Sequence, residues 1–130
     1  MIRTTKTIAT VAALLLTATA AFAQAAAPAK TADTPKGKAL VDAKGMTLYT
    51  FDKDAGGKSA CNGPCATNWP PLMATADAKA SGDWTVITRD DGSKQWAYKG
   101  KPLYAWSKDM KPGDTTGDGF LNGAWHIAMP

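Results

Sequence analysis

The stretch Lys44-Gly-Met-Thr-Leu-Tyr-Thr-Phe-Asp-Lys-Asp54 returns 55 positions later as Lys99-Gly-Lys-Pro-Leu-Tyr-Ala-Trp-Ser-Lys-Asp109. Six of the eleven positions are identical, and Trp106 stands where the first copy has Phe51. Self-similarity at a fixed spacing indicates a duplicated unit, and such units bury their apolar faces against each other. The sequence therefore predicts two similar halves that pack together.

The similarity extends beyond this stretch towards the C-terminal end of each copy. Trp69 is followed by an apolar segment, and Trp125 is followed by another. We therefore expect tandem repeats at about 40–73 and 95–129, packed into one compact β domain that covers residues 37–130. A domain of this length is near the size at which one hydrophobic core suffices.

Residues 1–23 have the pattern of a secretory signal peptide. Arg3 and Lys6 give a positive start, Ile8–Ala21 carries no charge, and Ala21-Phe-Ala23 is a small-x-small cleavage site. The apolar run is too short for a membrane span. The pattern predicts cleavage after residue 23 and export of the mature chain.

Residues 24–36 are rich in Ala, Pro and Thr and contain no aromatic residue. Such a composition buries little apolar surface, so it predicts a disordered leader in front of the domain. No second apolar run of membrane length follows. We expect a periplasmic or secreted protein without an integral membrane segment after signal cleavage.

The charge of the chain argues against nucleic acid as a partner. The full sequence has 15 Lys and Arg against 11 acidic residues, a net charge of +4, and removing Arg3 and Lys6 leaves 13 against 11. A nucleic-acid-binding domain usually carries a larger and more clustered positive charge. Every acidic residue is Asp, which favours turns and strand ends over helix interiors.

Short β-type segments alternate with Gly-, Asp- and Lys-containing turns along the whole mature chain. This spacing indicates an all-β fold, mainly antiparallel, with small irregular or short-helical loops. A helical turn is expected over Pro64–Asn68, and Pro70 would end it. The expected strand segments are Ala39–Asp42, Met46–Phe51, Trp84–Thr88, Lys94–Tyr98, Pro102–Trp106 and Ala124–Ala128.

Each repeat carries one copy of a Tyr-x-aromatic-x-x-Asp pattern. In a strand, the Tyr and the following aromatic residue share a face, and we expect them to form the core between the repeats rather than an exposed binding surface. The Asp is expected to accept turn N–H groups or to bond the preceding Tyr hydroxyl. The alternative, a pair of catalytic carboxylates, has no base or nucleophile nearby. These residues are Tyr49, Phe51 and Asp54, and Tyr104, Trp106 and Asp109.

Cys61 and Cys65 are the only cysteines of the chain. In an exported protein an even pair favours a disulfide, and Asn-Gly-Pro between them supplies turn chemistry. A Cu(I) or redox site is the alternative, since two thiolates with a Met or with His126 can bind copper. The spacing fits neither c-type haem attachment nor a thioredoxin-like motif.

Asp114-Thr-Thr-Gly-Asp-Gly119 resembles the first half of a calcium-binding loop, with Asp114 and Asp118 as oxygen ligands. The twelfth position is Trp125 instead of an acid, so a Gly-rich surface turn is the favoured interpretation. We expect no resident metal or cofactor.

Taken together, these motifs identify a family resemblance. The two Tyr-x-aromatic-x-x-Asp stretches, Cys61-Asn-Gly-Pro-Cys65 leading to Trp69-Pro-Pro-Leu72, and Gly117-Asp-Gly119 leading to Trp125 are similar to those of bacterial secreted and lipoprotein repeat proteins known by that motif. The resemblance covers about Leu40 to Ala128 and implies export and a tandem-repeat domain. Many relatives have a lipobox Cys, which this chain lacks.

The absence of an assembled catalytic set predicts an exported, non-enzymatic envelope protein that binds or scaffolds. An envelope protein is a candidate partner. The competing hypothesis is a periplasmic copper-binding or electron-transfer accessory protein that uses Cys61 and Cys65.

Overall fold

The computed structural model describes residues 27–130, so the predicted signal peptide lies outside the described residues. Within these residues the chain forms eight short strands and two short helical segments. In chain order they are β1 (Lys30–Thr34), β2 (Gly37–Val41), β3 (Tyr49–Phe51), α1 (Pro64–Asn68), β4 (Met73–Ala74), β5 (Trp84–Thr88), β6 (Lys94–Tyr98), β7 (Lys101–Pro102), α2 (Phe120–Gly123) and β8 (Trp125–Ile127).

All strand pairs are antiparallel: β1 pairs with β2, β3 with β8, and β6 with β4, β5 and β7. The predicted all-β fold with a short helical loop is therefore confirmed. β5, β6 and α1 have the predicted bounds. The expected strand at Pro102–Trp106 is shorter, because only β7 is regular there and Tyr104 continues through isolated bridges.

The prediction of disorder for residues 24–36 is wrong for the second half of that segment, which contains β1. Lys30–Thr34 pairs over its full length with β2. The Thr34 hydroxyl donates to the Gly37 carbonyl at 2.7 Å and closes the turn between the two strands. Ala29, just before β1, is buried against Leu40 and other core residues. Backbone pairing and one buried Ala thus order a segment whose composition alone indicates disorder.

The two repeats are related by an approximate two-fold axis that passes between Tyr49 and Tyr104. The Tyr49 N–H donates to the Tyr104 carbonyl at 2.7 Å, and the Tyr104 N–H donates back to the Tyr49 carbonyl at 3.0 Å. The ends of the repeats are exchanged: Ala128 donates to Leu48 of the first repeat. Leu72 donates in the same way to Leu103 of the second. Each repeat therefore completes the backbone pairing of the other.

Aromatic residues of both repeats form the centre of the molecule. Four rings stack in the order Phe51, Trp125, Trp69, Trp106, with centroid separations of 4.1, 3.7 and 3.9 Å. The order alternates between repeats, so each repeat's strand aromatic lies on the other repeat's Trp. The expected burial of the motif aromatics between the repeats is what the structure has.

The opposite faces of the same strands form a second, aliphatic cluster. Leu48 and Leu103 directly precede the buried tyrosines, so their side chains lie on the opposite face of the chain. Both are completely buried, and they cluster with Leu40, Ala29 and Ala128. This division follows from the two-residue period of a strand. The two clusters together make up the core, and Trp84 of β5 and Tyr98 of β6 pack against the aliphatic one as partly buried residues.

Candidate functional site

The polar groups of the repeat motif are paired with each other across the two-fold axis. The Tyr49 hydroxyl donates to Asp109 Oδ2 at 2.6 Å, and the Tyr104 hydroxyl donates to Asp54 Oδ2 at 2.7 Å. Of the two partners expected for each Asp, the Tyr of its own repeat is wrong, because the Tyr of the other repeat donates instead. The other oxygen of each Asp accepts turn N–H groups, from Ala60 and from Thr116, as expected.

Burial controls the protonation of these groups. Removal from water raises the pKa of both Tyr49 and Tyr104, and the hydrogen bonds to the carboxylates raise it further. Burial also raises the pKa of the Asp54 carboxyl, against the opposing effect of the bonds from Ala60 and Tyr104. Both phenols are therefore neutral donors at physiological pH and unsuited to act as bases.

Tyr49→Phe is expected to make stability less sensitive to alkaline pH. A phenol whose folded pKa exceeds its unfolded value of about 10 stabilises the fold below that pH and loses this contribution as pH rises above it. Each such Tyr steepens the decline by up to about 1.4 kcal/mol per pH unit. Urea unfolding at several pH values above 9 should show a shallower decline for Tyr49→Phe and for Tyr104→Phe. Equal slopes in wild type and variants would contradict the assigned burial.

The buried Arg89 holds the segment between β3 and α1, which we call the first repeat's long loop, and connects it to Tyr104. Arg89 Nη1 donates to Ser59 Oγ at 3.0 Å and to Gln95 Oε1 at 2.8 Å, and Nη2 donates to the Cys61 carbonyl at 2.6 Å. Ser59 Oγ in turn lies 2.6 Å from the Tyr104 hydroxyl. The guanidinium is thus used to hold the loop in place, and sequence reasoning did not identify this role.

Cys61 and Cys65 are joined in a disulfide, with their Cα atoms 5.2 Å apart. Cys61 is completely buried against the aromatic cluster, and its carbonyl is held by Arg89. This is the arrangement expected of a structural disulfide. In this state neither sulfur is a thiolate, so the geometry does not support the copper alternative.

In the segment that resembles the first half of a calcium-binding loop, both Asp side chains accept hydrogen bonds from backbone N–H groups. Asp114 Oδ2 accepts the N–H groups of Met110 and Lys111, while Asp118 Oδ1 accepts the Ile127 N–H. Within residues 27–130 no three His, Cys or Asp side chains gather in a metal-binding arrangement. Asp114 and Asp118 are therefore turn and strand-end acceptors here.

The surface of the second repeat carries a row of aromatic side chains that the sequence reasoning missed. In the β5–β6 register Trp84 lies opposite Tyr98, and Val86 lies opposite Trp96, so all four side chains share one sheet face. The Trp84 ring lies 4.8 Å from the Tyr98 ring and 6.2 Å from the Trp96 ring. All three residues are half-buried, and Trp84 and Tyr98 also pack against the aliphatic cluster. We call Trp84, Trp96 and Tyr98 the aromatic strip.

A groove lies at each end of the aromatic strip. The first, of about 420 Å³, is lined by Trp84 and Trp96 with Thr75, Asp77, Lys79 and Ser81, and is called the tryptophan groove. The second, of about 450 Å³, is lined by Tyr98, Lys99, Lys101, Asp52 and His126 and is called the lysine groove. Apolar ring surface with a few polar groups around it is the usual composition of a ligand site.

Within the residues that the structure describes, the first repeat has no counterpart of the aromatic strip. Leu48 donates to the Leu40 carbonyl as Leu103 donates to the Trp96 carbonyl, so Leu40 and Trp96 are equivalent. By the hairpin registers, Ala29 corresponds to Trp84 and Asp42 to Tyr98. Ala29 and Leu40 are core residues and Asp42 caps a turn. The two halves therefore differ at these positions, and in the second repeat Trp84 and Tyr98 pack against the aliphatic cluster that Ala29 and Leu40 belong to.

The sequence did contain a signal for this surface. Within Lys94–Tyr98 the buried positions are Gln95 and Ala97, whereas the large rings Trp96 and Tyr98 alternate with them. An amphipathic strand normally buries its large apolar residues and exposes its small or polar ones. The inverted pattern indicates that these rings lie on the less buried face of the strand, although their position beside the grooves follows only from the folded chain.

In the part of the chain that the structure describes, neither helical segment is long and apolar enough to cross a bilayer. No curated protein and no solved structure matches the chain. A family of secreted repeats matches it twice, over residues 30–73 and 85–129. These ranges begin at β1 and β5, the first strand of each repeat's hairpin, and so begin before the predicted starts at 40 and 95. Because the matches span more than half of the sequence, the chain belongs to the Lipoprotein_15 family, which is described as a secreted repeat of unknown function.

Proposed function

We propose that this protein is a non-enzymatic binding protein of the bacterial envelope, in the periplasm or at the cell surface, and that it acts through the aromatic strip and its two grooves. The observation that carries the proposal is the half-buried row of Trp84, Trp96 and Tyr98, which among residues 27–130 is present in the second repeat alone. Aromatic residues at a surface provide large contact area at low entropic cost, which is why binding sites are enriched in them.

The non-enzymatic part of the proposal is supported by the state of the motif groups. Tyr49 and Tyr104 donate to Asp109 and Asp54, and both hydroxyls are buried. A catalytic acid or base must reach a substrate proton. These four groups instead satisfy each other between the repeats, so they account for the conformation of the domain and leave the chemistry of the surface to other residues.

Retention of the mature protein on isolated bacterial envelopes tests the binding role. Wild type should sediment with the envelopes, and Trp96→Ala should remain in the supernatant, because it removes the ring of the aromatic strip that lines the tryptophan groove beside Trp84. Phe120→Ala is the matched control, since Phe120 is 46% exposed and lies in α2, outside both grooves. Equal retention of the two variants, or no retention of wild type, would contradict the proposal.

Turnover assays on a panel of ester, amide, glycoside and phosphoester substrates test the non-enzymatic role. The expected result is no turnover above that of a preparation carrying both Asp54→Asn and Asp109→Asn. Turnover that depends on either carboxylate would show that the motif pairs open during a reaction cycle, and the protein would then be an enzyme.

A further inference from the structure

We propose that the aromatic strip and its two grooves bind an acidic glycan, a chain of sugar rings that carries carboxylate groups. This inference rests on the proposed binding function and names the chemical class of the ligand. It depends on three properties of the surface: the spacing of the rings, the charge at one end of the row, and the hydroxyl groups at the other end.

The rings offer a continuous apolar path between the grooves. Trp96 and Trp84 line the tryptophan groove, the Trp84 ring contacts that of Tyr98, and Tyr98 lines the lysine groove. The face of a sugar ring presents C–H groups, whereas its hydroxyls point outward from the rim. Stacking on an aromatic face therefore buries apolar surface and leaves the hydroxyls free for hydrogen bonds. The ring planes are inclined to each other, by 87° between Trp84 and Trp96 and by 50° between Trp84 and Tyr98, so each ring offers its face to a separate sugar of a chain.

The charge of the lysine groove complements an anion. Within residues 27–130, no carboxylate lies within salt-bridge distance of the Lys99 or Lys101 ammonium group. Lys99 Nζ lies 5.3 Å from the centre of the Tyr98 ring, directly at the end of the aromatic strip. Among the described residues that line this groove the one acid is Asp52, which is hydrogen-bonded to His126 at 2.8 Å. The free cations beside the ring are placed to meet a carboxylate of a stacked sugar.

The polar side chains of the tryptophan groove suit sugar hydroxyls. Ser81 and Lys79 are exposed there, and the Thr75 hydroxyl is held by Asp77 at 2.8 Å. Hydroxyl, ammonium and carboxylate groups beside an aromatic ring allow an oriented sugar hydroxyl to replace its bonds to water. The two grooves therefore differ in the group they select, and a ligand with both hydroxyls and carboxylates satisfies both.

The same surface is poorly suited to a nucleic acid. Single-stranded nucleic acid also stacks on rings, but it carries a phosphate at every nucleotide and is bound by grooves dense in Lys and Arg. Asp52 and Asp77 line the two grooves beside three lysines, so the positive charge is sparse. An acidic glycan, with neutral hydroxyls around each ring, matches this lower charge.

Calorimetric titration of the mature protein at pH 7 and low salt tests the inference with four probes. They are an oligogalacturonate, its methyl ester, polyglutamate and a single-stranded oligothymidylate. The acid oligosaccharide should bind most tightly. The methyl ester, which keeps the rings and loses the charges, should bind about tenfold more weakly. Polyglutamate, which has charges and no sugar rings, should bind at least about tenfold more weakly than the acid oligosaccharide.

Two variants and a control locate the site. Trp96→Ala and the double variant Lys99→Gln, Lys101→Gln should each weaken oligogalacturonate binding by about tenfold. Lys53→Gln, Lys108→Gln removes the same charge from two exposed, repeat-related lysines outside both grooves and should leave binding unchanged. Absence of binding, equal binding of the methyl ester or polyglutamate, or tighter binding of the oligothymidylate would overturn the inference. Envelope retention that still depends on Trp96 would then leave the proposed function standing with another ligand.

Discussion

Replacing Trp125 with Ala is expected to lower the free energy of unfolding by about 3 to 5 kcal/mol. Trp125 is 1% exposed and lies between Phe51 and Trp69 in the four-ring stack, with Tyr104 packed edge-on at 5.1 Å. Its loss removes two stacked contacts and leaves a cavity at the interface between the repeats. The total free energy of unfolding of a small domain is about 5 to 15 kcal/mol, so this loss is a large fraction of the stability.

Urea unfolding followed by far-ultraviolet circular dichroism measures this change, with Trp96→Ala as the matched control. Trp96 is also a tryptophan in a paired segment of the fold, but it is half-buried and outside the stack, so its replacement should cost less than about 1.5 kcal/mol. If Trp125→Ala does not fold, Trp125→Phe should fold with a smaller loss. Similar costs for Trp125→Ala and Trp96→Ala would show that the stack is not the centre of the core.

Replacing Arg89 with Met is expected to cost a similar amount, about 3 to 5 kcal/mol. Met has comparable length but donates no hydrogen bond. The acceptors Ser59 Oγ, Gln95 Oε1 and the Cys61 carbonyl are all buried and would lose a charged donor. Because these acceptors belong to the loop and to β6, the first repeat's long loop should also become more mobile.

Arg89→Lys distinguishes geometry from charge. Lys keeps the cation, yet it cannot reach Gln95 and the Cys61 carbonyl with a forked group, so most of the loss should remain. Lys58→Met, at an exposed position, is the control and should change stability by less than about 0.5 kcal/mol. Chemical denaturation gives the free energies, and amide exchange at Ser59 and Cys61 reports the loop. An Arg89→Met protein as stable as the Lys58→Met control would rule out the assigned role.

The sequence predicted those parts of the fold that depend on local pattern. β5 and β6 were found from β-branched and aromatic residues bounded by turn signals, and α1 was found from Pro64 and its neighbours. The buried face of Tyr49 and Phe51 followed from the strand period. β1 was missed because nothing in Lys30–Thr34 is strongly apolar, and its order comes from pairing with a neighbouring strand.

The candidate site was less predictable, because it depends on which repeat supplies each partner. Tyr49 bonds Asp109 rather than Asp54, and no local rule distinguishes two chemically identical choices. Arg89 stands in a turn signal, and only the folded chain brings it to Ser59 and the Cys61 carbonyl. The rings of the aromatic strip could have been noticed from their inverted alternation, but their continuity depends on the register of β5 and β6.

Contacts between the repeats occur twice, with the two repeats in exchanged roles. This holds for the backbone bonds between Tyr49 and Tyr104, for the two Tyr–Asp hydrogen bonds and for the stacking of each strand aromatic on the other repeat's Trp. In an assembly of separate chains, an interface with this property is called isologous, and it closes a homodimer. A polypeptide that consists of a single repeat would therefore form the same contacts with a second copy of itself. Joining the two copies covalently lets one half change its outer surface while the other keeps its own, which a symmetric pair of identical chains cannot do.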